Sequence, residues 1–477
     1  MREQYKKESP ILSILGMGGG GTGLALAGAS GYPADTFWIS EAARGSWDNE
    51  YVEDIVGDNE GNIYVASIRY NGGGNGYKSN SIVKHAVDGT VSWQKVNYKT
   101  TSPYPLEVRC INADADGDHI YFSGQADAGT FITKANKSDG TVDWRRQLGG
   151  SSANNVPSSI AMGSGGNPIV IGRISSGNEE QGYFNLNESN GADVWKTLVK
   201  KTSGNTTSMN STTHAKVDGS GNIHSLVWGS TGHPNYYNAI VKHNSSGVLQ
   251  SISDYRTSPS TEDFFGDIAV DSSGNKYVAY RYNTGSGNNK VGVMKVNSSD
   301  VIQWQKGIDS APNYISPEQI EVMPEDAGII MRIDDRQNQG DSGDAKCTFV
   351  RFDTSGNVVW KRQFGISGIN VQGSTGKMRL NRNGNIIFNT NHSTGGQVYT
   401  IVAQLPADGS LTGNHTVGSR TYEWAANTRL SFSTQTGFSK QGSSIFSGET
   451  NNNNNIAYDS NVTTVNNVQT FTKGDVD

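Results

Sequence analysis

The sequence repeats one short motif, which consists of a turn dipeptide, a run of alternating polar and apolar residues, and a tryptophan. The fullest copies are Asp88–Trp93 and Asp139–Trp144, which read Asp-Gly-Thr-Val-Ser-Trp and Asp-Gly-Thr-Val-Asp-Trp. Shorter copies extend the series, and two of them lack the tryptophan. The tryptophan-equivalent positions are 93, 144, 195, 251, 304, 360 and 413, with intervals of 51, 51, 56, 53, 56 and 53 residues. A period of about fifty residues predicts a repeat architecture.

Each repeat carries a second turn upstream of its tryptophan. Gly61-Asn62, Gly221-Asn222 and Gly384-Asn385 are examples, each followed by a β-branched or aromatic run. Gly and Asn adopt the positive φ angles that tight hairpins need. Each unit therefore reads as four antiparallel strands. Seven such units predict an all-β, seven-bladed β-propeller over residues 33–414. The missing tryptophans at positions 251 and 413 leave six or eight blades as alternatives.

A tryptophan outside the series indicates how the ring closes. Trp38 lies 24 residues before the turn residue Asn62, and Trp144 lies 23 residues before its counterpart Asn167. The strand at residues 36–42 is therefore predicted to be the outer strand of the last blade, which lacks a tryptophan of its own. This arrangement would remove an exposed sheet edge.

The two ends of the chain differ from the repeats. Residues 415–477 contain alternating strand-like pieces around an asparagine run, and we predict a C-terminal β extension that contacts neighbouring proteins. Residues 1–32 are apolar and Gly-rich. They have the outline of a signal peptide, but their glycines argue against a membrane span. We expect this segment to dock on a partner protein, with a tail packed on its own domain as the alternative. The docking residues would be Ile11, Leu12, Ile14, Leu15 and Met17.

Composition excludes one class of partner. The net charge is −6, and no basic run is longer than a pair. A nucleic-acid-binding surface is therefore not expected. The two cysteines, Cys110 and Cys347, lie in different repeats and are interpreted as buried free thiols.

The tight turns of a propeller blade fall on one face of the ring, and the longer loops fall on the other. The predicted long loops carry tyrosines among Ser, Thr, Asn and Gly, with Tyr255 as one example. Partly exposed aromatics among amides and hydroxyls suit carbohydrate or protein contact. Packing at blade ends is the alternative. The predicted binding residues are Arg69, Tyr70, Tyr104, Tyr236, Tyr237, Arg281 and Tyr282.

Patterns typical of catalytic or metal sites are few. The eight histidines are scattered singly, without zinc-protease or nucleophile-elbow motifs. Asp114, Asp116 and Asp118 alternate as at the start of a calcium loop, but the twelfth loop position, Gln125, is not acidic. A plain hairpin explains them better. Loop carboxylates such as Asp334 are interpreted as solvated charge. We therefore expect no enzyme activity, no metal and no cofactor.

Two resemblances add to this interpretation. The repeated tryptophan motif resembles the tryptophan-docking repeats of quinoprotein-type propellers, but the adjacent cysteine pair of those enzymes is missing. The opening run Lys6–Gly20 resembles the N-terminal peptide of structural proteins in marine cyanobacterial phages.

The second resemblance implies a virion protein of a bacteriophage: a tail fibre, an appendage or a capsid or tail decoration. Residues 1–32 would then dock on other virion proteins within a multi-subunit assembly, and the long-loop face could bind a host-surface glycan. The alternatives are a secreted or periplasmic propeller enzyme acting on polysaccharide and a scaffold propeller in a bacterial surface assembly.

Overall fold

Almost all of the regular structure is β-strand. One short 3₁₀ turn, Pro324–Asp326, is the exception among the residues described. The computed structural model describes residues 37–43, 48–71, 78–99, 106–114, 117–126, 129–148, 156–163, 165–175, 179–201, 209–230, 236–256, 264–283, 289–310, 314–336, 346–366, 369, 371–372, 376–394, 397–435, 438–441, 446–450, 462–466 and 472–475.

The chain begins with strand β1 (Trp38–Ala43), and three blades of four antiparallel strands follow. Blade 1 contains β2 (Asp48–Gly57), β3 (Ile63–Asn71), β4 (Lys78–His85) and β5 (Val91–Lys99). Blade 2 contains β6 (Leu106–Ala113), β7 (His119–Ala126), β8 (Gly129–Asn136) and β9 (Val142–Leu148). Blade 3 contains β10 (Val156–Met162), β11 (Pro168–Ser175), β12 (Glu179–Leu186) and β13 (Asp193–Lys201).

The remaining four blades follow the same order, from the ring axis outwards. Blade 4 contains β14 (Met209–Val217), β15 (Ile223–Ser230), β16 (Tyr236–His243) and β17 (Leu249–Arg256). Blade 5 contains β18 (Phe264–Val270), β19 (Lys276–Asn283), β20 (Asn289–Val296) and β21 (Ile302–Ser310). Blade 6 contains β22 (Tyr314–Val322), β23 (Ile329–Arg336), β24 (Lys346–Phe352) and β25 (Val358–Ile366). Blade 7 contains β26 (Val371–Gln372), β27 (Met378–Leu380), β28 (Ile386–Thr394) and β29 (Gln397–Leu405).

The innermost strands close a ring around a central channel. Each contacts the innermost strand of the next blade, and β27 of blade 7 contacts both β22 and β2. The predicted all-β, seven-bladed propeller is therefore confirmed. The alternatives of six or eight blades are wrong, because the two units without tryptophan still form complete sheets.

The tryptophans join neighbouring blades. The Trp93 indole N–H donates to the Lys137 carbonyl at 3.0 Å, in the outer turn of blade 2. The indole ring covers Gly140 of that turn, where an added Cβ would lie 2.9 Å from it. Gly140 has φ 71°, so this turn favours glycine for its backbone as well as for space. The same ring-on-glycine contact recurs at the pairs Trp144/Gly191, Trp195/Gly247, Trp304/Gly356 and Trp360/Gly409.

One interface departs from this pattern. Blade 4 has Ser251 at the tryptophan position, and the facing turn of blade 5 has Asp300 in place of glycine, with φ 64°. The Asp300 carboxylate accepts hydrogen bonds from Ser253 at 2.7 Å and from the buried ammonium of Lys276. A side chain fits here because no indole covers the turn. The two substitutions therefore compensate for each other across the interface.

The N-terminal strand completes blade 7. Strand β1 pairs antiparallel with β29, so that Trp38 lies opposite Gln404. The Trp38 indole N–H donates to the Val87 carbonyl of blade 1 at 3.1 Å, and its ring covers Gly89. Trp38 therefore makes the contact between blades 7 and 1 that the other tryptophans make elsewhere.

The C-terminal region forms a belt around the ring, and we use this name for strands β30–β36. The belt adds a strand to the outer edges of blades 6, 5, 4, 3, 1 and 7, in that order. Its strands therefore pair with the chain's own blades, and the contact of this extension with neighbouring proteins stays a prediction. The belt strands are β30 (Gly413–Val417), β31 (Arg420–Ala426), β32 (Ser431–Thr434), β33 (Ser439–Lys440), β34 (Phe446–Thr450), β35 (Val462–Asn466) and β36 (Thr472–Asp475).

Belt connections insert side chains between blades. Leu430 is buried in the apolar cluster shared by blades 5 and 6. Phe438 packs against Tyr280 with a ring-centroid distance of 4.5 Å. Its backbone N–H and C=O both bond to the Gln305 side-chain amide at 2.9 Å. The belt is thus held by side chains as well as by strand pairing.

Candidate functional site

The innermost strands of six blades each contain a β-bulge. The register shifts between Val52 and Asp54 in blade 1 and between Pro317 and Gln319 in blade 6. The extra residue of a bulge has no ladder partner on the neighbouring strand, and its side chain points in a different direction from those of its neighbours. These extra residues include Glu53, Arg109 and Glu318, so the bulges place charged side chains along the innermost strands.

The residue after the bulge ties its blade to the next. The Asp54 carboxylate accepts a hydrogen bond from the Ile111 N–H of blade 2 at 3.1 Å. Asp267 of blade 5 accepts one from the Ile320 N–H of blade 6 at 3.0 Å. Because these carboxylates satisfy backbone donors of the neighbouring blade, they fix the spacing of the innermost strands.

A chain of ion pairs spans the channel. Lys216 of blade 4 reaches both carboxylate oxygens of Glu321 in blade 6, at 2.7 and 2.8 Å, past the intervening blade 5. Arg379 of blade 7 pairs with Glu321 and with Asp54 of blade 1, both at 3.3 Å. The network therefore crosslinks four blades, and its charged groups pair with one another within the channel.

A second group of charges lies beside blades 1 and 2. Arg109 is 3.3 Å from Glu53 and also bonds to Glu107. Burial raises the pKa of Glu53, although the positive charges of Arg109 and Lys377 oppose this rise. Because positive and negative groups lie next to one another here, several charged side chains can be accommodated in a partly desolvated region.

Glu318 differs from the other channel carboxylates. Burial and the negative charge of Asp334 raise its pKa to about 7, against the opposing effects of Arg332, Lys377 and a hydrogen bond from Ser316. Asp334 is not the solvated loop charge expected from the sequence, because it lies buried on β23 opposite Ser316. A carboxyl group with this pKa can hold or release a proton near neutral pH, which is what general acid–base chemistry requires.

The raised pKa of Glu318 predicts a pH-dependent stability. The folded chain binds a proton at Glu318 below about pH 7, whereas the unfolded chain releases it near 4.5. Stability from this group is therefore complete below pH 4.5 and is lost as pH rises to 7. We expect Glu318→Gln to increase the free energy of urea unfolding by about 2–3 kcal/mol at pH 8, and to change it little at pH 4.5.

Glu321→Gln is the matched control for this experiment. Glu321 is on the same strand but pairs with Lys216 and Arg379, so its neutralisation should destabilise the chain at pH 8. A loss of stability at pH 8 in Glu318→Gln as well would show that Glu318 is ionised and stabilising.

Both cysteines are free and buried, as their isolation in the sequence suggested. Burial raises the pKa of Cys347, whose thiol bonds to Thr390 and lies 3.3 Å from the Arg332 guanidinium. Arg332 also donates to the carbonyls of Lys377 and Asn389. A buried thiol held as the neutral acid is a poor nucleophile.

The long-loop ends of blades 4 and 5 bring predicted binding residues against aromatic rings. The Arg256 guanidinium lies 3.8 Å from the ring centroid of Tyr237. Arg281 lies 4.7 Å from that of Phe264, which in turn contacts Trp228 of blade 4 at 5.2 Å, edge to face. All five side chains are partly exposed. Tyr237 and Arg281 stay predicted binding residues, and sequence reasoning did not name the partners that they contact here, which come from other strands.

The other predicted residues fall into three groups. Tyr282 contacts Tyr280, with ring centroids 5.7 Å apart. The expectation for Tyr255 is wrong: it is fully buried, and its hydroxyl donates to the Asp300 carbonyl at 3.0 Å. The remaining residues lie outside the described part of the chain, either entirely (Tyr104, Ile11, Leu12, Ile14, Leu15, Met17) or in their side chains (Arg69, Tyr70, Tyr236).

The turn that resembles a calcium loop is occupied by a lysine. The Lys137 ammonium donates to the carbonyls of Asp114 and Gly117. Across the described residues, no group of three or more His, Cys, Asp or Glu side chains is arranged to hold a metal ion. Nor does the described part of the chain contain a helix that is long and apolar enough to cross a membrane.

The ring of seven sheets around a charged channel defines a closed β-propeller. No protein-family model and no curated protein matches the sequence. Among solved structures, a propeller called Dos1 is 8% identical, covering 76% of this chain and 93% of that one, with a TM-score of 0.42. The quinohemoprotein alcohol dehydrogenase of Comamonas testosteroni is 10% identical over 77% and 76%, with a TM-score of 0.36. The NanB sialidase of Streptococcus pneumoniae is 8% identical over 81% and 69%, also at 0.36. Similarity at this level does not extend to a shared activity.

Proposed function

We propose that the protein is a non-enzymatic structural and binding component of a bacteriophage particle: a tail fibre, an appendage or a capsid or tail decoration. Residues 1–32 dock it on other virion proteins. The long-loop face of the propeller binds a host-surface glycan or another virion protein. The resemblance of Lys6–Gly20 to virion peptides supports the first part, and the architecture of the ring supports the second.

The main structural support for this proposal is the set of contacts that hold the ring closed. Both terminal strands, β1 and β36, pair with each other in blade 7, with Trp38 opposite Asp475. The belt covers part of the outer edge of six blades, and ion pairs cross the channel. Covered edges protect a sheet from unwanted pairing with other chains. Ion pairs along the channel and belt strands at the outer edges both hold the ring together, which suits a protein that bears mechanical load in a particle.

The cluster of Trp228, Phe264 and Arg281 supports the choice of binding face. Partly exposed aromatic rings offer flat apolar surfaces that stack on sugar rings, and a neighbouring guanidinium donates to hydroxyl or carboxylate groups. The cluster lies where two blades meet at the long-loop end. A glycan could therefore contact both blades at once.

A particle assembly experiment tests both parts of the proposal. We expect deletion of residues 2–30 to abolish incorporation into particles. Trp228→Ala should incorporate normally, but its particles should bind host cells about tenfold more weakly, the effect of losing about 1.4 kcal/mol. Trp195→Ala is the matched control, because this half-buried indole lies at the tight-turn end and should leave binding unchanged. Normal incorporation of the deletion variant, or unchanged adsorption of Trp228→Ala particles, contradicts the corresponding part.

A second candidate function is an exported enzyme acting on polysaccharide. The position of Glu318 near the negative charge of Asp334 favours it, because glycoside hydrolysis needs a protonated carboxyl group close to a second carboxyl group, and the pKa of Glu318 is raised to about 7. New reducing ends released from bacterial polysaccharide by the intact chain, and absent with Glu318→Gln, would favour the enzyme over the structural protein.

A further inference from the structure

Among the described residues, four arginines lie over aromatic rings, and two of these have a close acceptor within the chain. The Arg420 guanidinium lies 3.8 Å from the ring centroid of Tyr399 and pairs with the Glu41 carboxylate. The Arg362 guanidinium lies over an indole ring and donates to the Gly409 carbonyl at 2.8 Å. Pairing inside the chain therefore accounts for both.

The other two arginines, Arg281 and Arg256, lack so close a partner. Arg281 makes no ion pair with any residue that the structure describes, and its Nε has no hydrogen-bond acceptor there. The Arg256 Nη2 atom lies 3.8 Å from the buried Asp254 carboxylate, which is beyond hydrogen-bond distance. Both side chains are partly buried. A partly desolvated charge without a close counterion is unfavourable, so an anionic ligand that neutralises it gains affinity.

Aromatic rings hold both guanidinium groups in place. Arg281 lies 4.7 Å from the ring centroid of Phe264, and Arg256 lies 3.8 Å from that of Tyr237. A guanidinium on a ring face keeps its N–H groups in one plane, and their fork matches the two oxygens of a carboxylate. Because the rings restrain these side chains before any ligand binds, less side-chain entropy is lost on binding.

The two arginines lie on different sides of Trp228. Trp228 and Arg256 lie at the long-loop ends of β15 and β17, which are two strands apart in blade 4, or about 10 Å. Phe264 contacts Trp228 from blade 5, and Arg281 lies opposite Phe264 on the next strand of that blade. A ligand that covers the indole ring therefore has a guanidinium on each of two sides.

We propose that this face binds an acidic polysaccharide, with a sugar ring on Trp228 and sugar carboxylates on Arg281 and Arg256. The inference rests on the proposed function, and it names the class of glycan that the long-loop face takes. A polymer with a carboxylate in each repeating unit reaches both arginines, whereas a small acid reaches only one. The net charge of −6 opposes general attraction of an acidic polymer, so binding depends on these local cations.

Binding of the intact chain to immobilised polysaccharides tests the proposal. The probes are alginate, polygalacturonate, hyaluronate and polysialate, each beside its carboxyl-reduced, neutral form, and dextran sulfate as a polymer with a different anion. We expect at least one carboxylated polymer to bind, and its neutral form to bind about tenfold more weakly or less, the effect of losing one charged hydrogen bond. Arg281→Gln should weaken binding of the same polymer by a similar factor.

Arg362→Gln is the matched control. It removes the same charge from an arginine that also lies over a ring, but on the side of the tight turn at Gly409, so binding should not change. Urea unfolding of each variant checks that the ring is intact. Arg256→Gln provides a second variant, which should also weaken binding, although less because Asp254 already lies near this arginine.

Three results overturn the proposal: no carboxylated polymer binds, only dextran sulfate binds, or the cooperatively folded variants Arg281→Gln and Arg256→Gln bind as tightly as the native chain. Failure of the proposed function gives a different result. If a neutral form binds as tightly as its acidic parent and Trp228→Ala weakens both, the face binds glycans and only the acidic class is wrong. If Trp228→Ala particles also adsorb normally to host cells, the binding part of the proposed function fails as well.

Discussion

Trp38→Ala should lower the free energy of unfolding by about 3–5 kcal/mol, the range for truncating a fully buried tryptophan. The Trp38 side chain is completely buried, stacks on His85 at 5.5 Å and covers Gly89. It also lies on the strand that completes blade 7. Its removal therefore leaves a cavity between the first and last blades, and it weakens a strand that non-covalent contacts alone hold to the rest of blade 7. Urea unfolding followed by tryptophan fluorescence would measure the loss.

Trp195→Ala is the matched control for this prediction. Trp195 makes the same contact, covering Gly247 and donating to the Ser245 carbonyl at 3.1 Å, but its side chain is only half-buried. Strand β13 also follows its neighbour β12 directly in the chain, whereas β1 and its neighbour β29 are far apart in sequence. We expect a smaller loss, of about 1–2 kcal/mol. Equal losses in the two variants would show that β1 contributes no more to ring closure than any other tryptophan strand.

Truncation after Thr412 should have the largest effect of any change considered. It removes the whole belt, including Trp424, which is fully buried against Phe349 at 5.6 Å. Loss of Trp424 alone should cost about 3–5 kcal/mol. The outer edges of six blades would also become free to pair with other chains. We expect a lower Tm and self-association, measured by thermal unfolding and by light scattering during size-exclusion chromatography.

A second truncation, after Gln441, makes this test graded. It keeps the belt strands on blades 6, 5 and 4, together with Leu430 and Phe438. Its stability should lie between those of the intact chain and the shorter variant. If the chain ending at Thr412 remains monomeric with an unchanged Tm, the belt does not stabilise the ring.

Much of the ring could be predicted because each blade is encoded locally. The turn glycines, the alternating strands and the tryptophans recur every fifty residues or so, and each feature acts on residues close to it in the chain. Trp38 could be assigned to the last blade because its distance to Asn62 matches the spacing inside other repeats. The exchange of tryptophan for Ser251 weakened the count of blades, because Asp300, which compensates for it, lies in the next repeat.

The candidate site was much less accessible to sequence reasoning. Lys216 and Glu321 are separated by 105 residues and meet only because both innermost strands face the same channel. A single inserted residue at each bulge shifts the register, so alternation alone does not show which way Glu53 or Glu318 points. Tyr255 was assigned to a binding loop from its composition, although its strand continues to Arg256 and buries the ring.

The sequence by itself determined the blade and the strand that completes the last one, and it favoured seven blades over six or eight. These depend on turns and periodicities that act over a few residues. The tertiary structure alone decided the ion pairs of the channel and the course of the belt. A belt strand pairs through backbone groups that every residue carries, so its partner is set by which sheet edge lies within reach.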